Sequence, residues 1–362
     1  MKDVLSFYRG RRVLLTGHTG FKGMWLAFLL LRAGAEVTGF AFDAPTEGGR
    51  EALRRLGVLK ELRDLRGDVR DADALGRAFA AARPEVVFHL AAQPIVRTSY
   101  RQPVETFAAN VMGTVNVLEC IRTSDTVRSA LMVTTDKVYE NKEWPWGYRE
   151  NEPLLGYDPY SASKSCAEIA AHSYRQSFFA GSGVRLSTAR AGNVIGGGDF
   201  APDRIIPDCI RAAVRGQVID IRNPHSTRPY QHVLEPLSVY LMLAARQAED
   251  VALVGAWNVG PDDADCVTTG ELADLFCRTW GAGARWEAHA DGGPHEAHFL
   301  KLDCSKIKSE LGWKPRWHIA EAVEKTVEWA KAWEAGADMR TLTEAQIEAF
   351  FAGNHRAGRE IG

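Results

Sequence analysis

Thirty residues of this chain gather a hydroxyl, a carboxylate, two amines and a phenol: Thr135, Asp136 and Lys137 at the end of an apolar run, then Tyr160 and Lys164 after a polar loop. Tyr160 and Lys164 stand four apart at the start of a helix-forming stretch that reaches about Phe178, so their side chains share a face. A neutral phenol, with a pKa of about 10, is a poor base, but a cationic lysine beside it favours the phenolate and lowers that value. Alone, such a pair is usually an ordinary exposed helix face. Here it follows a Thr-Asp-Lys turn and lies about 140 residues after a glycine turn, which makes a general base coupled to redox chemistry the better reading.

The elements that must position these groups alternate strand and helix. Arg12 to Thr16 is an apolar run leading into Gly17-His18-Thr19-Gly20-Phe21-Lys22-Gly23 and then the helix-forming segment Met24 to Arg32. Glycines in such a turn let backbone amides approach a pyrophosphate at a helix N-terminus. The next strand, Glu36 to Phe42, ends near Asp43, an acid placed to hold ribose hydroxyls, although the usual position of that acid aligns with Ala41. No arginine follows at once, which favours NAD over NADP. Asp68 ends a third strand, where it either accepts from the adenine amino group or caps the helix Ala72 to Ala82. After the strand Val86 to Leu90, the small residues Ala91 and Ala92 let a cofactor lie close to the backbone.

A helix over Thr106 to Arg122 has apolar residues on two faces, one for the sheet and one for another partner, such as a second subunit. The buried strand Ser129 to Val133 delivers Thr135 to Lys137 to the carboxyl edge of the sheet, where open α/β sheets bind ligands. Trp144, Trp146 and Tyr148 either pack the following loop down or line a pocket. After the strand Val184 to Arg190 comes a glycine-rich loop, Ala191 to Asp199, with no lysine of the phosphate-loop type. Arg204, Arg222 and Arg228 follow, and arginine forks suit phosphate oxygens. Of these, Arg228 is ranked first and Arg222 is expected to be solvated. Helices over Leu234 to Glu249, Thr268 to Thr279 and Ile319 to Trp333, with short strands such as Ala256 to Val259, make a smaller lobe. Thr343 to Gln346 fits a capping box before a tail helix.

The fold expected is therefore α/β: a Rossmann doubly wound parallel sheet over residues 1–190, a smaller C-terminal α/β substrate lobe over 191–340 with some segments returning to the sheet, and a helical tail over 341–362. With 44 basic and 46 acidic side chains, no global field favours nucleic acid. The longest apolar run, Met24 to Leu31, is far short of a membrane span. The six cysteines show no metal-binding spacing and read as reduced thiols, so the expectation is a cytoplasmic protein with no metal, no nucleic acid and no membrane.

The glycine turn, Ala91-Ala92-Gln93-Pro94, Asn110 to Thr114, Thr135-Asp136-Lys137 and Tyr160 to Lys164 together resemble the extended short-chain dehydrogenases/reductases, and within them the nucleotide-sugar 4,6-dehydratases. Asp136-Lys137, Trp146 to Glu152 and Pro294 to His298 resemble the branch acting on CDP-glucose. That resemblance implies NAD held by Gly17, Thr19, Gly20, Phe21, Lys22, Gly23, Asp43, Asp68, Val69, Leu90, Ala91, Ala92, Tyr160 and Lys164. It implies a sugar nucleotide held by Gln93, Asn193, Arg204, Arg228 and His298, with His295 and Lys301 nearby. It also implies a homodimer formed through the Thr106 and Tyr160 helices, and a place in deoxysugar or surface polysaccharide synthesis.

The chemistry implied is an internal redox dehydration. Tyr160, assisted by Thr135 and held at lowered pKa by Lys164, takes the 4-hydroxyl proton; Asp136 protonates the departing 6-hydroxyl. Where related dehydratases carry a glutamate as the C5 base, this chain has Lys137, which either acts as that base once neutral or stays charged and stabilises the enolate. A nucleotide-sugar 4-epimerase is the alternative, sharing the fold, NAD and the Tyr160/Lys164 pair but not the need for an acid at Asp136; a non-catalytic NAD-binding sensor is a third reading.

Overall fold

The computed structural model describes residues 2–289 and 297–352. Six strands follow one another along the first half of the chain: β1 (Arg12–Thr16), β2 (Glu36–Ala41), β3 (Arg63–Arg66), β4 (Val86–His89), β5 (Ser129–Thr135) and β6 (Arg185–Ala191). With Ala256–Val259 they form one parallel sheet in the order β3, β2, β1, β4, β5, β6, Ala256–Val259. This is the doubly wound sheet expected. Every residue of β4 and β5 is buried, as their near-continuous apolar runs require of strands covered on both faces. The strand order reverses between β1 and β4, so a crevice opens at their carboxyl ends.

The helix Phe21–Arg32 is buried from Gly23 to Leu30. It is apolar all round because it lies between β1 and β2 on one side and the helix Leu234–Glu249 on the other. That second helix and the strand Ala256–Val259 lie beyond residue 190, yet both belong to the sheet. Gln247 on the helix donates to Ser129 Oγ, the Ala130 carbonyl and the Arg185 carbonyl, clamping the starts of β5 and β6.

The smaller lobe has its own core, in which Ile206, Ile219, Tyr230, Leu272, Phe276 and Val323 are buried together. Its strands pair two by two: Ile219–Ile221 with Trp286–Ala288, and Thr227–Pro229 with Cys266–Thr268. The helices Ile205–Val214, Thr269–Trp280 and Ile319–Glu334 close it.

Two local expectations are corrected. The single helix over Thr106 to Arg122 is three segments, Pro103–Phe107, a π-helical turn Ala108–Met112, and Gly113–Thr123. The wide turn carries the buried Asn110, whose side chain accepts from Gln93 N (2.8 Å) and donates to Ser163 Oγ (2.9 Å), tying the end of β4 to the Tyr160 helix. The capping box at Thr343 is absent, because the last helix starts a turn earlier, at Met339. Asp338 accepts from the amides of Arg340 and Thr341 there, while Thr343 is buried and accepts from Trp329 Nε1.

Candidate active site

Gly17 follows β1 with φ of 76°, a left-handed conformation that favours glycine. A Cβ on it would stand 2.7 Å from Ala91 N, and one on Gly23 would stand 2.0 Å from the Gly17 carbonyl oxygen. The turn, the helix start and the end of β4 therefore touch backbone to backbone, and only glycine permits it. That cradle fits a dinucleotide: Gly17, Gly20 and Gly23 bring amides of a helix N-terminus to the crevice, Leu90 and Ala92 line the cleft beside it, and the Ala91 backbone lies against Gly17. Thr19 donates to the Phe42 carbonyl (2.8 Å), so its side chain braces the turn against the end of β2.

At the far end of β2, Asp43 is exposed and paired with Arg66 of β3 at 2.8 Å. The arginine absent from the sequence just after β2 is thus supplied by the neighbouring strand, where Asp43 and Asp64 both bind it. Asp68 pairs with Arg70, and it is Asp71, not Asp68, that caps the helix Ala72–Ala82. Val69 is buried, with its carbonyl held by Asn116.

The cleft between sheet and lobe, about 830 Å³, brings Thr135, Asp136, Lys137, Tyr160 and Lys164 together with Lys22, Asn193, Arg204 and Arg228. β5 ends at Thr135 and a 3-10 turn, Asp136–Val138, sets Asp136 and Lys137 in sequence on the cleft wall. The opposite wall is the helix Pro159–Tyr174, begun by Pro159 and capped by Asp158, which accepts from Ser161 N at 2.9 Å. Asp136 Oδ1 accepts from the Thr135 hydroxyl at 2.9 Å, while its Oδ2 is buried with no hydrogen-bond partner. Gly192 faces that oxygen, and a Cβ there would stand 3.3 Å from it.

The electrostatics correct one expectation. Burial pushes Tyr160 up to about 12, against the lowering effects of its hydrogen bond with Thr135 and of Arg204. Lys164 Nζ is directed at the Val133 carbonyl (3.2 Å), and burial brings the lysine itself down to about 8. Lys22 is brought to about 7 by burial, with Arg204 and Lys164 adding to the effect and Asp136 and Asp199 opposing it. Lys22 therefore sits among the reacting groups, a position its place in a glycine motif does not reveal.

The substrate residues divide. Arg204 pairs with Asp199 (3.4 Å) at the start of the helix Ile205–Val214, whose first turn lines the cleft. Arg228 is buried, donating to the Thr227 and Ala297 carbonyls, and Asn193 lines the cleft while its carbonyl accepts from Gln231 N. Gln93 turns inward: its side chain bonds both main-chain groups of Ile95 and the Thr106 hydroxyl, which leaves it outside the cleft lining. His298 is exposed and also outside the lining; its amide is held by Glu143 Oε1. Lys301 is likewise outside it, and His295 lies outside the described residues. Arg222, expected to be solvated, lines the cleft directly after the strand Ile219–Ile221. Tyr148 stacks on Tyr139 at 5.3 Å and Trp144 lies tilted against Tyr148 at 5.2 Å, packing the loop down, while Trp146 touches Trp144 and is exposed; Tyr139 to Glu143 form cleft wall.

A family model described as GDP-mannose 4,6 dehydratase matches residues 14–326, spanning both the glycine cradle and the cleft. The chain belongs to this family. Among 4,6-dehydratases, the CDP-glucose 4,6-dehydratase of Salmonella typhimurium is 48% identical over 97% of this chain and 99% of its own length. The dTDP-glucose 4,6-dehydratase of Streptomyces antibioticus is 30% identical, over 88% and 91%. Among solved structures, the dTDP-glucose 4,6-dehydratase of Streptomyces venezuelae, with NAD bound, superposes with a TM-score of 0.76 at 25% identity, covering 90% of this chain and 98% of that one. A Thermus thermophilus UDP-glucose 4-epimerase complex with NAD gives 0.77 at 26%, covering 88% and 99%. Fold and cofactor cradle are thus common to dehydratases and epimerases, and what separates them lies among the side chains of the cleft.

Proposed function

We propose that this chain is an NAD-dependent hydro-lyase that converts CDP-glucose to CDP-4-keto-6-deoxyglucose. The observation that carries the reading is Asp136 Oδ2, a buried carboxylate oxygen without a protein partner, beside Tyr160 and Thr135 in the cleft. A 4-epimerase needs a base and a hydride carrier; it has no use for a second, buried acid in the cleft wall beside that base.

Bound NAD supplies reversible hydride exchange, outward from C4 and back at C6. Tyr160 takes the 4-hydroxyl proton, and Thr135, hydrogen-bonded to both Tyr160 and Asp136, holds the two in register. Lys164 keeps a positive charge one helical turn from the phenol. The 4-ketone acidifies C5-H, and Lys137, next to Asp136 on the same turn, removes that proton. Asp136 gives its proton to the 6-hydroxyl, which leaves as water; Lys137 then returns its proton to C5, and the proton taken by Tyr160 resets Asp136 through Thr135. Arg204 and Arg228 take the diphosphate, with the start of the helix Ile205–Val214 adding its unpaired amides.

The protein is a homodimer in this reading. Val104, Met112, Ile169 and Phe178 are apolar yet 49–75% exposed, and all four lie on the two helical segments Pro103–Thr123 and Pro159–Phe179. Such a shared apolar surface is what a two-fold helical interface covers. Its six free thiols fit a reducing, cytoplasmic setting. No helix among the described residues is long and apolar enough to cross a membrane.

The test is incubation with CDP-glucose, followed by mass spectrometry. A 4-keto product lighter by one water supports the reading, and a product of unchanged mass makes the chain an epimerase.

A further inference from the structure

The glycines after Ile195 serve a contact between the sheet side of the molecule and the smaller lobe. Trp25, on the second turn of the helix Phe21–Arg32 and only 1% exposed, donates from Nε1 to the Gly197 carbonyl at 2.8 Å. Trp329, on the helix Ile319–Glu334 that closes the lobe, lies against the same residue: a Cβ on Gly197 would stand 2.0 Å from its Cγ. Gly198 follows with φ of 84°, left-handed, and a Cβ there would stand 2.7 Å from Met24 Cε. Met24 and Trp25, on the helix that begins at the cofactor cradle, thus pin a backbone segment that takes no side chain.

That segment leads directly to the substrate arginine. Asp199, buried and two residues past Gly197, pairs through Oδ2 with Arg204 Nη1 at 3.4 Å and accepts from Ala201 N through Oδ1 at 3.1 Å. Asp199 and Arg204 line the cleft; Trp25 does not. From the indole N–H to the guanidinium the links are one carbonyl, one left-handed glycine and one carboxylate held at both oxygens. A guanidinium binds a diphosphate well only when its fork is fixed, so a displaced anchor costs affinity.

We infer that Trp25 is a positioning residue for the sugar nucleotide, acting through Gly197 and Asp199 to hold Arg204 where the diphosphate binds. The helix that meets the cofactor at its start therefore sets, one turn later, the arginine that meets the substrate. This rests on the proposed nucleotide-sugar substrate and adds a residue outside the cleft lining to those that determine its binding.

The test uses the NAD-loaded enzyme and a cycle of Trp25→Phe, Arg204→Ala and the double variant. Phenylalanine keeps an aromatic ring at the position and removes the donor. The dissociation constant of CDP is measured by calorimetry on each, with KM and kcat for CDP-glucose. Trp25→Phe is expected to weaken CDP binding by about tenfold, the size of one lost charge-assisted hydrogen bond, with KM rising alike and kcat within about twofold of the wild type. In the Arg204→Ala background the same substitution is expected to change CDP affinity by less than about twofold, because the group it positions is gone. General damage to the fold would instead weaken binding in both backgrounds. Should Trp25→Phe not fold, Asp199→Asn takes its place in the cycle, with the same pattern expected. Unchanged CDP affinity, equal losses in the two backgrounds, or a fall in kcat at constant KM would overturn the inference. A wild type that binds CDP and shows the expected cycle, yet releases no water from CDP-glucose, leaves Trp25 in its role and removes the dehydratase assignment; water release with an additive cycle does the reverse.

Discussion

The Thr134 hydroxyl donates to Glu168 Oε1 at 2.5 Å, a hydrogen bond between the last turns of β5 and the middle of the Tyr160 helix. The other carboxylate oxygen accepts from Thr188 (2.8 Å) and Arg190 (2.8 Å) on β6. One buried carboxylate thus ties β6 both to β5, which leads into Thr135 and Asp136, and to the helix that carries Lys164, and it lies one helical turn beyond Lys164. Burial pushes its pKa up, but Arg190 and the two hydroxyls outweigh that and hold it below its ordinary value. Its share of stability is therefore present at neutral pH and lost on acidification through that lowered value. Glu168→Gln leaves Arg190 charged and unpaired, so denaturant unfolding is expected to show a loss of about 3 kcal/mol at pH 7.

Asp136→Asn keeps the size and the hydrogen bond from Thr135 while removing the acid. Loss of a positioned general acid costs about 10²–10⁴-fold, so water release falls by that amount. Oxidation at C4 survives, and rapid-quench analysis of the variant with CDP-glucose is expected to show a 4-keto intermediate that retains its 6-hydroxyl.

Lys137→Met separates two roles for the lysine. If it removes the C5 proton, exchange of C5-H with solvent deuterium, followed by NMR, falls with turnover. Undiminished exchange would exclude it as the base and leave it the cation that stabilises the enolate.

Burial brings Lys164 down to about 8, with the Glu168 charge opposing. Its ammonium is lost as pH rises through that value, and with it the positive charge near the phenol. The expected kcat/KM profile of the wild type therefore falls above about pH 8, and Lys164→Met is expected to be slow throughout and to lack that limb.

Ile169, 56% exposed on the outer side of the Tyr160 helix, is a suitable point to test the proposed dimer. Ile169→Arg puts a charge into an apolar interface, and light scattering is expected to show a monomer where the wild type is a dimer.

Much of this architecture was legible because strand and helix alternate with clear periodicity: Ala72–Ala82, Leu234–Glu249 and Ala256–Val259 coincide with the apolar patterns that mark them. The π-turn at Ala108–Met112 was not legible, since its cause is Asn110 reaching Gln93 and Ser163, a contact made only in three dimensions. The site residues divide in the same way. Thr135 to Lys137 and Tyr160 to Lys164 are each contiguous or one turn apart, so spacing alone brings them together. Arg222 and Asp203 meet across nineteen residues, and Gln93 turns inward because Ile95 and Thr106 offer it better partners than the cleft does. The rise of Tyr160 to about 12 depends on burial, which a sequence motif does not carry.

The strand Ala256–Val259 joins β6 only after the chain has built part of the smaller lobe. During synthesis β6 therefore has one unpaired flank from the time Ala191 leaves the ribosome until Val259 does, a row of unsatisfied amides and carbonyls of the kind that seeds intermolecular pairing. Truncation before Val259 leaves that flank permanently open, so nascent fragments ending in the lobe should aggregate where the full chain stays soluble.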